Sequence, residues 1–91
     1  MTVNVRIPTQ LRPLLGGAAE VEATGATVAG VIEDLGGRFP GFASRLLDDE
    51  GRLRRFVNLY VDDEDVRFLQ GLDSPVEPGS RISIIPAVAG G

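Results

Sequence analysis

The 91-residue chain contains no cysteine, no histidine, no lysine and no tryptophan, and its nine basic residues are all arginine. Each absence excludes something. Without cysteine there is no disulfide scaffold and no thiolate metal site. Without Cys, Lys and His, the common covalent nucleophiles and the usual general base near neutral pH are missing. Carboxylates, a few hydroxyls and a single tyrosine, Tyr60, remain. Catalysis by carboxylates alone needs a cleft that pushes their pKa values apart, and a domain this small has little room for one. The side chains are therefore a poor enzyme toolkit. If the protein takes part in covalent chemistry, its C-terminal carboxylate is the group to examine.

Long apolar runs are also missing. None approaches the roughly 20 residues that span a bilayer. The N-terminal "MTVNVRIPTQ" lacks the apolar core of a signal peptide, so a cytoplasmic location without membrane contact is expected. The net charge of −4 weighs against nucleic acid, which rewards a concentrated basic face. The nearest basic cluster, "RLRR" at 52–55, follows acidic "DDE" and reads as a locally paired surface.

What is present is ordinary for one globular domain: 43% apolar and 24% charged residues. "TVNVRIP" alternates and predicts a strand with Val3, Val5 and Ile7 on one face. "AAEVEA" predicts a second strand, so residues 2–23 form a hairpin with a long loop through Gly16-Gly17. Val28, Val31, Ile32, Leu35 and Phe39 recur at helical spacing behind Thr27, a suitable N-cap. Gly36-Gly37 is expected to fray or cap that helix, and Pro40 to prevent its continuation. "GFASRLL" predicts a short helical turn with Phe42, Leu46 and Leu47 inward. "LRRFVNLYV", "VRFLQ" and "SRISIIPA" predict three more strands.

The resulting order, β-β-α-β-β-β, leaves one amphipathic helix that must lie on a sheet. This order is consistent with an α+β fold of the β-grasp type, a mixed sheet of four to five strands in which the first and last lie side by side at the centre. Residues 1–86 would form the domain and 87–91 a flexible tail. The last six residues, "PAVAGG", leave the final strand without polar cap, charge or helix.

With these elements in order, the chain resembles the ThiS/MoaD family of ubiquitin-like sulfur carriers. The marks are "VNVRIP", "GATVAGVIEDL", "NLYVDDEDVRF" and the terminal "GG". "RFVNLYVDDEDVRF" with "PAVAGG" is most similar to the branch that serves cysteine synthesis in actinobacteria. The resemblance implies a carrier that is a substrate of enzymes, not an enzyme, and holds no cofactor of its own. An ATP-dependent activating enzyme would adenylate the Gly91 carboxylate, and sulfur would replace the adenylate to give a thiocarboxylate. A pyridoxal-phosphate cysteine synthase would use that sulfur, followed by a metalloprotease that trims the tail. Relatives serve thiazole, molybdopterin and thiosugar synthesis, so the acceptor stays open. Gly91 would carry the sulfur, while Gly90, Ala89, Val88 and Ala87, small and uncharged, would thread partner active sites. Phe56, Tyr60 and Phe68 are candidates for a partner-binding patch on the solvent side of the sheet, unless a loop or the short helix covers them, and because partners of the family bind around the tail root, the resemblance adds Arg81 and Pro86.

Two other functions compete. The same activated tail could form amide bonds on other proteins, as in a protein modifier. Alternatively the chain could be a plain binding module or the small subunit of a synthase. The acidic run Asp62, Asp63, Glu64 and Asp65 lacks the alternating oxygens and glycine turn of a calcium loop and reads as a solvated hairpin. The missing Lys and Cys have two readings: protection of the carrier from its own acylating tail, or the codon usage of a GC-rich genome.

Overall fold

The computed structural model describes residues 2–55 and 57–86, the last by its backbone. Phe56 and Ala87–Gly91 lie outside the described residues. The elements are β1 (Val3–Arg6), β2 (Glu20–Ala23), α1 (Val28–Arg38), α2 (Phe42–Leu46), β3 (Val57–Val61), β4 (Glu64–Asp65) and β5 (Arg81–Pro86). They form one five-stranded sheet in the order β2-β1-β5-β3-β4. β1 and β5 are parallel, and every other pairing is antiparallel. The first and last strands are neighbours at the centre with a helix across one face. This is the expected β-grasp arrangement.

The alternation of apolar residues determines which face is covered. Val3 and Val5 of β1, Val57, Leu59 and Val61 of β3, and Ile82 and Ile84 of β5 are all buried. α1 brings Val28, Val31, Ile32 and Leu35 to the same core, and α2 adds Phe42 and Leu46. Each such side chain contributes about 1.5–3 kcal/mol by leaving water. α1 starts where the sequence places it. Thr27 is extended (φ −135°, ψ 168°), and its Oγ1 accepts a hydrogen bond from the Gly30 amide at 3.1 Å. A cap of this kind is worth about 1 kcal/mol.

Three local expectations are corrected. First, the loop of the β1–β2 hairpin is a 3-10 helix over Thr9–Leu15, with Leu11 and Leu15 buried. Their burial orders a stretch whose Pro13 and Gly16-Gly17 signal only a reversal. Second, α1 runs through Gly36-Gly37 to Arg38. Gly36 serves packing rather than termination, since a Cβ there would stand 2.9 Å from the Ala43 Cβ of α2. Third, "VRFLQ" is not a strand. β4 ends at Asp65, whose carboxylate accepts from the Arg67 amide at 2.8 Å and turns Val66–Phe68 into a 3-10 helix. Val66 is buried by that turn, and Phe68 is left 86% exposed.

Between β3 and β4 sits a two-residue turn. Asp62 (φ 49°) and Asp63 (φ 73°) both adopt left-handed backbone, the geometry that suits the twist of a tight hairpin. Aspartate tolerates this region better than most residues. The acidic run is thus used as turn chemistry.

Candidate functional site at the end of the central strand

The element that leads to the C-terminus is the most firmly held strand of the sheet. β5 pairs with β1 on one side (Val5 with Ile82, Arg6 with Ser83) and with β3 on the other (Leu59 with Ile84, Val57 with Pro86). Ile82 and Ile84 anchor it in the core, while Ile85 is 49% exposed on the uncovered face. Pro86, the last residue of the strand, has no N–H to offer the ladder. A load on the chain beyond Pro86 is therefore borne by backbone ladders on two sides. The five positions beyond it, Ala87, Val88, Ala89, Gly90 and Gly91, lie outside the described residues.

The strand registers set a row of polar side chains across the uncovered face: Glu20, Arg6, Ser83, Tyr60 and Asp65. Tyr60 is half-buried there. Phe68 sits on the 3-10 turn after β4, not on a strand, so it does not share the face by register. Phe56 lies outside the described residues. Arg81 opens β5 at the end of the sheet away from Pro86, so the two do not meet at the tail root. There the Arg81 amide donates to the Asp62 carboxylate at 3.0 Å, and the Asp62 amide donates back to the Arg81 carbonyl at 2.9 Å.

Two features of the tail end escape a reading of the sequence. The ends of β1 and β5 flank an open groove of about 430 Å³, lined by Arg6, Pro8, Thr9, Arg12, Ser83 and Ile85 among others. Arg12 Nε donates to the Ile7 carbonyl at 3.1 Å, which fixes that guanidinium beside the groove. On the other side of β5, Arg67 Nη2 donates to the carbonyls of Val57 and Arg55, each at 3.3 Å. The parallel pairing of the first and last strands creates this grouping, and no spacing along the chain announces it.

The perturbed carboxyls lie elsewhere. The Thr24 amide, donating at 3.1 Å, holds the Asp34 carboxyl below its ordinary range; the Arg38 guanidinium adds to this, and desolvation opposes it. Arg38 also donates to the Glu22 carbonyl of β2, so this Asp34–Arg38 pair fastens α1 to the sheet edge. The Arg52 amide, more than the Glu50 amide, holds Asp48 below its ordinary range. Both carboxyls are engaged in turn or edge bonding. Among the described residues no group of three or more His, Cys, Asp or Glu could hold a metal ion.

The sequence model of the ThiS family matches residues 5–91. The chain belongs to the ThiS family. Family members close to it include "Sulfur carrier protein CysO" of Mycobacterium tuberculosis, 50% identical over 93 residues and aligned over 100% of both chains. "Small archaeal modifier protein 3" of Haloferax volcanii is 35% identical over 66 residues, covering 72% of this chain and 71% of that protein. Among solved structures, a chain of the Amycolatopsis orientalis BexX/CysO complex superposes with a TM-score of 0.92. It is 52% identical, with 98% of this chain and 99% of that chain covered. No helix among the described residues is long and apolar enough to cross a membrane.

Proposed function

We propose that this ThiS-family chain is a sulfur carrier. The Gly91 carboxylate attacks the α-phosphate of ATP on an activating enzyme, pyrophosphate leaves, and a mixed acyl-adenylate forms. Sulfur at the sulfide level, as hydrosulfide or its equivalent, then attacks the acyl carbon, the acyl–phosphate C–O bond breaks, AMP leaves, and a C-terminal thiocarboxylate results. The observation that carries this reading is the extent of the family match, which runs from β1 through Gly91 itself. Full-length identity of 50% to CysO supports cysteine synthesis as the destination of the sulfur. The partners on this reading are the activating enzyme, a pyridoxal-phosphate cysteine synthase and a metalloprotease that trims the tail. Residues 87–91 act as the tail that enters their active sites, and residues 1–86 as its rigid platform. A carboxylate is a poor electrophile until adenylated, so the carrier supplies a handle and its partners supply the catalysis.

A second reading, conjugation to other proteins through Gly91, is favoured by the similarity to the Haloferax modifier protein. Intact-mass spectrometry of the protein from its native host, before and after a thiol alkylator, separates the two. The chain has no cysteine, so one adduct mapped to Gly91 identifies a thiocarboxylate. Absence of the adduct, together with amide-linked conjugates on other proteins, would replace the carrier by the modifier.

A further inference from the structure

We infer that the tail-root end of the sheet is a positively charged docking surface for an acidic segment of a partner protein. The inference rests on the reading that the tail passes into a partner. The whole chain carries a net charge of −4, yet its charges separate along the strand direction. The end away from the tail holds the Asp62-Asp63 turn and Glu64, and the Val61–Ser80 side of that end adds Glu77, against one cation, Arg81. Toward the tail end stand Arg6 at the close of β1, with Glu20 opposite it in register, Arg12 beside the groove, and Arg67 over the start of β3. By register Arg6 stands beside Ser83, two residues or roughly 7 Å along the strand from the level of Arg81 and Asp62, while the Pro86 end of β5 lies roughly 16 Å from them, beyond the Debye length at physiological salt.

Two of these arginines are placed by backbone carbonyls, not by carboxylates. Arg12 is held by the Ile7 carbonyl, and Arg67 by those of Val57 and Arg55. The ion pairs among the described residues are Arg38–Asp34 and Arg52–Glu50. Arg6, Arg12 and Arg67 take part in neither. A guanidinium held by a carbonyl keeps its full charge and has donors to spare, and its fork geometry suits a carboxylate. Thr9, Gln10 and Ser83 add neutral polar groups along the same groove. The surface thus offers two oriented cations, Arg12 and Arg67, with Arg6 between them on the uncovered face, near the point where the chain continues toward Gly91. A rim of Asp and Glu around a partner's opening would complement it. Attraction there, with repulsion at the opposite end, would orient the carrier tail-first before contact.

The test uses the full-length, unmodified chain, isotopically labelled for NMR, and a short blocked peptide of alternating Asp and Glu. The expected result is a set of shifts at the Nε–H groups of Arg6 and Arg12 and at nearby amides, weakening as salt rises. Arg6→Gln should weaken binding up to about fivefold, the upper range for one exposed ion pair. Arg6 makes no hydrogen bond that folding depends on among the described contacts, so this variant is the primary one; Arg12→Gln is the second. Asp63→Asn, at the opposite end, should leave binding unweakened. Shifts confined to other surfaces, or Arg6→Gln and Arg12→Gln both binding as the parent does, would overturn the inference. So would tighter binding of a single-stranded oligonucleotide of equal charge, which would make the surface a nucleic-acid site. The peptide needs no sulfur chemistry, so failure here and failure of the thiocarboxylate test are separately visible.

Discussion

The two ends of the sheet use charge in opposite ways. At the hairpin end, carboxylates act within the molecule: Asp62 takes the Arg81 amide and Asp65 takes the Arg67 amide. At the tail end, guanidiniums are steadied by carbonyls and their charge is left uncancelled. One end is finished by its own backbone. The other is arranged so that completion has to come from outside. Substitutions at the first should be felt in stability, and substitutions at the second in what the protein does with its partners.

The strongest challenge to that division is deletion of Gly90-Gly91. Thiocarboxylate formation with activating enzyme, ATP and a sulfur source should be lost completely, while the melting temperature stays within about a degree, because the buried core among the described residues runs from Val3 to Ile84. A large fall in melting temperature would mean that the tail is part of the fold. Next comes Gly25→Ala, at the end where β2 hands over to α1. Its Cβ would stand 2.6 Å from the Val31 amide nitrogen, so we expect a loss of about 3 kcal/mol in denaturant unfolding, the upper range for overpacking. Sulfur loading at a temperature where the variant is folded should match the parent.

Asp62→Ala should cost less. It removes the acceptor for the Arg81 amide and places alanine in left-handed backbone, together worth about 1–2 kcal/mol by urea unfolding. The smallest effect is expected from acid. Asp34 and Asp48 have folded pKa values below the ordinary 3.8, so the stability they add is present above that value and is lost as pH falls beneath it. Urea midpoints at neutral pH and near pH 3 should therefore converge partly when Asp34→Asn and Asp48→Asn are combined. Both residues are only half-buried and open to solvent screening, so the change should be modest.

How much could be seen in advance follows the same division between local and distant causes. Alternation in "TVNVRIP", "FVNLYV" and "RISII", and the 3.6-residue spacing behind Thr27, located the strands and the main helix because each depends on neighbours along the chain. "VRFLQ" misled because its composition suits a strand, while a single capping carboxylate, Asp65, decides otherwise. Gly36-Gly37 misled because the demand for a small residue comes from Ala43 across the α1–α2 contact. At the candidate site, the terminal Gly-Gly was plain as a motif. The groove was not, since Arg6, Arg12 and Ser83 come together only through the parallel β1–β5 pairing. Arg81 was placed near the tail root only by the family resemblance. It lies at the other end of β5, because a strand of six residues separates its two ends by most of the height of the domain.

That parallel pairing also has a bearing on timing. Among the described strands β1 is made first and finds its central partner only in β5, made last, so the contact that closes this sheet joins strands more than 70 residues apart. Contacts of such long range slow folding and keep it from completing during synthesis. A chain interrupted anywhere before β5 lacks the middle of its sheet as well as its terminal glycines. The acceptor end and a stable domain to carry it therefore arrive together, and a prematurely ended chain presents neither to the enzymes that would load it.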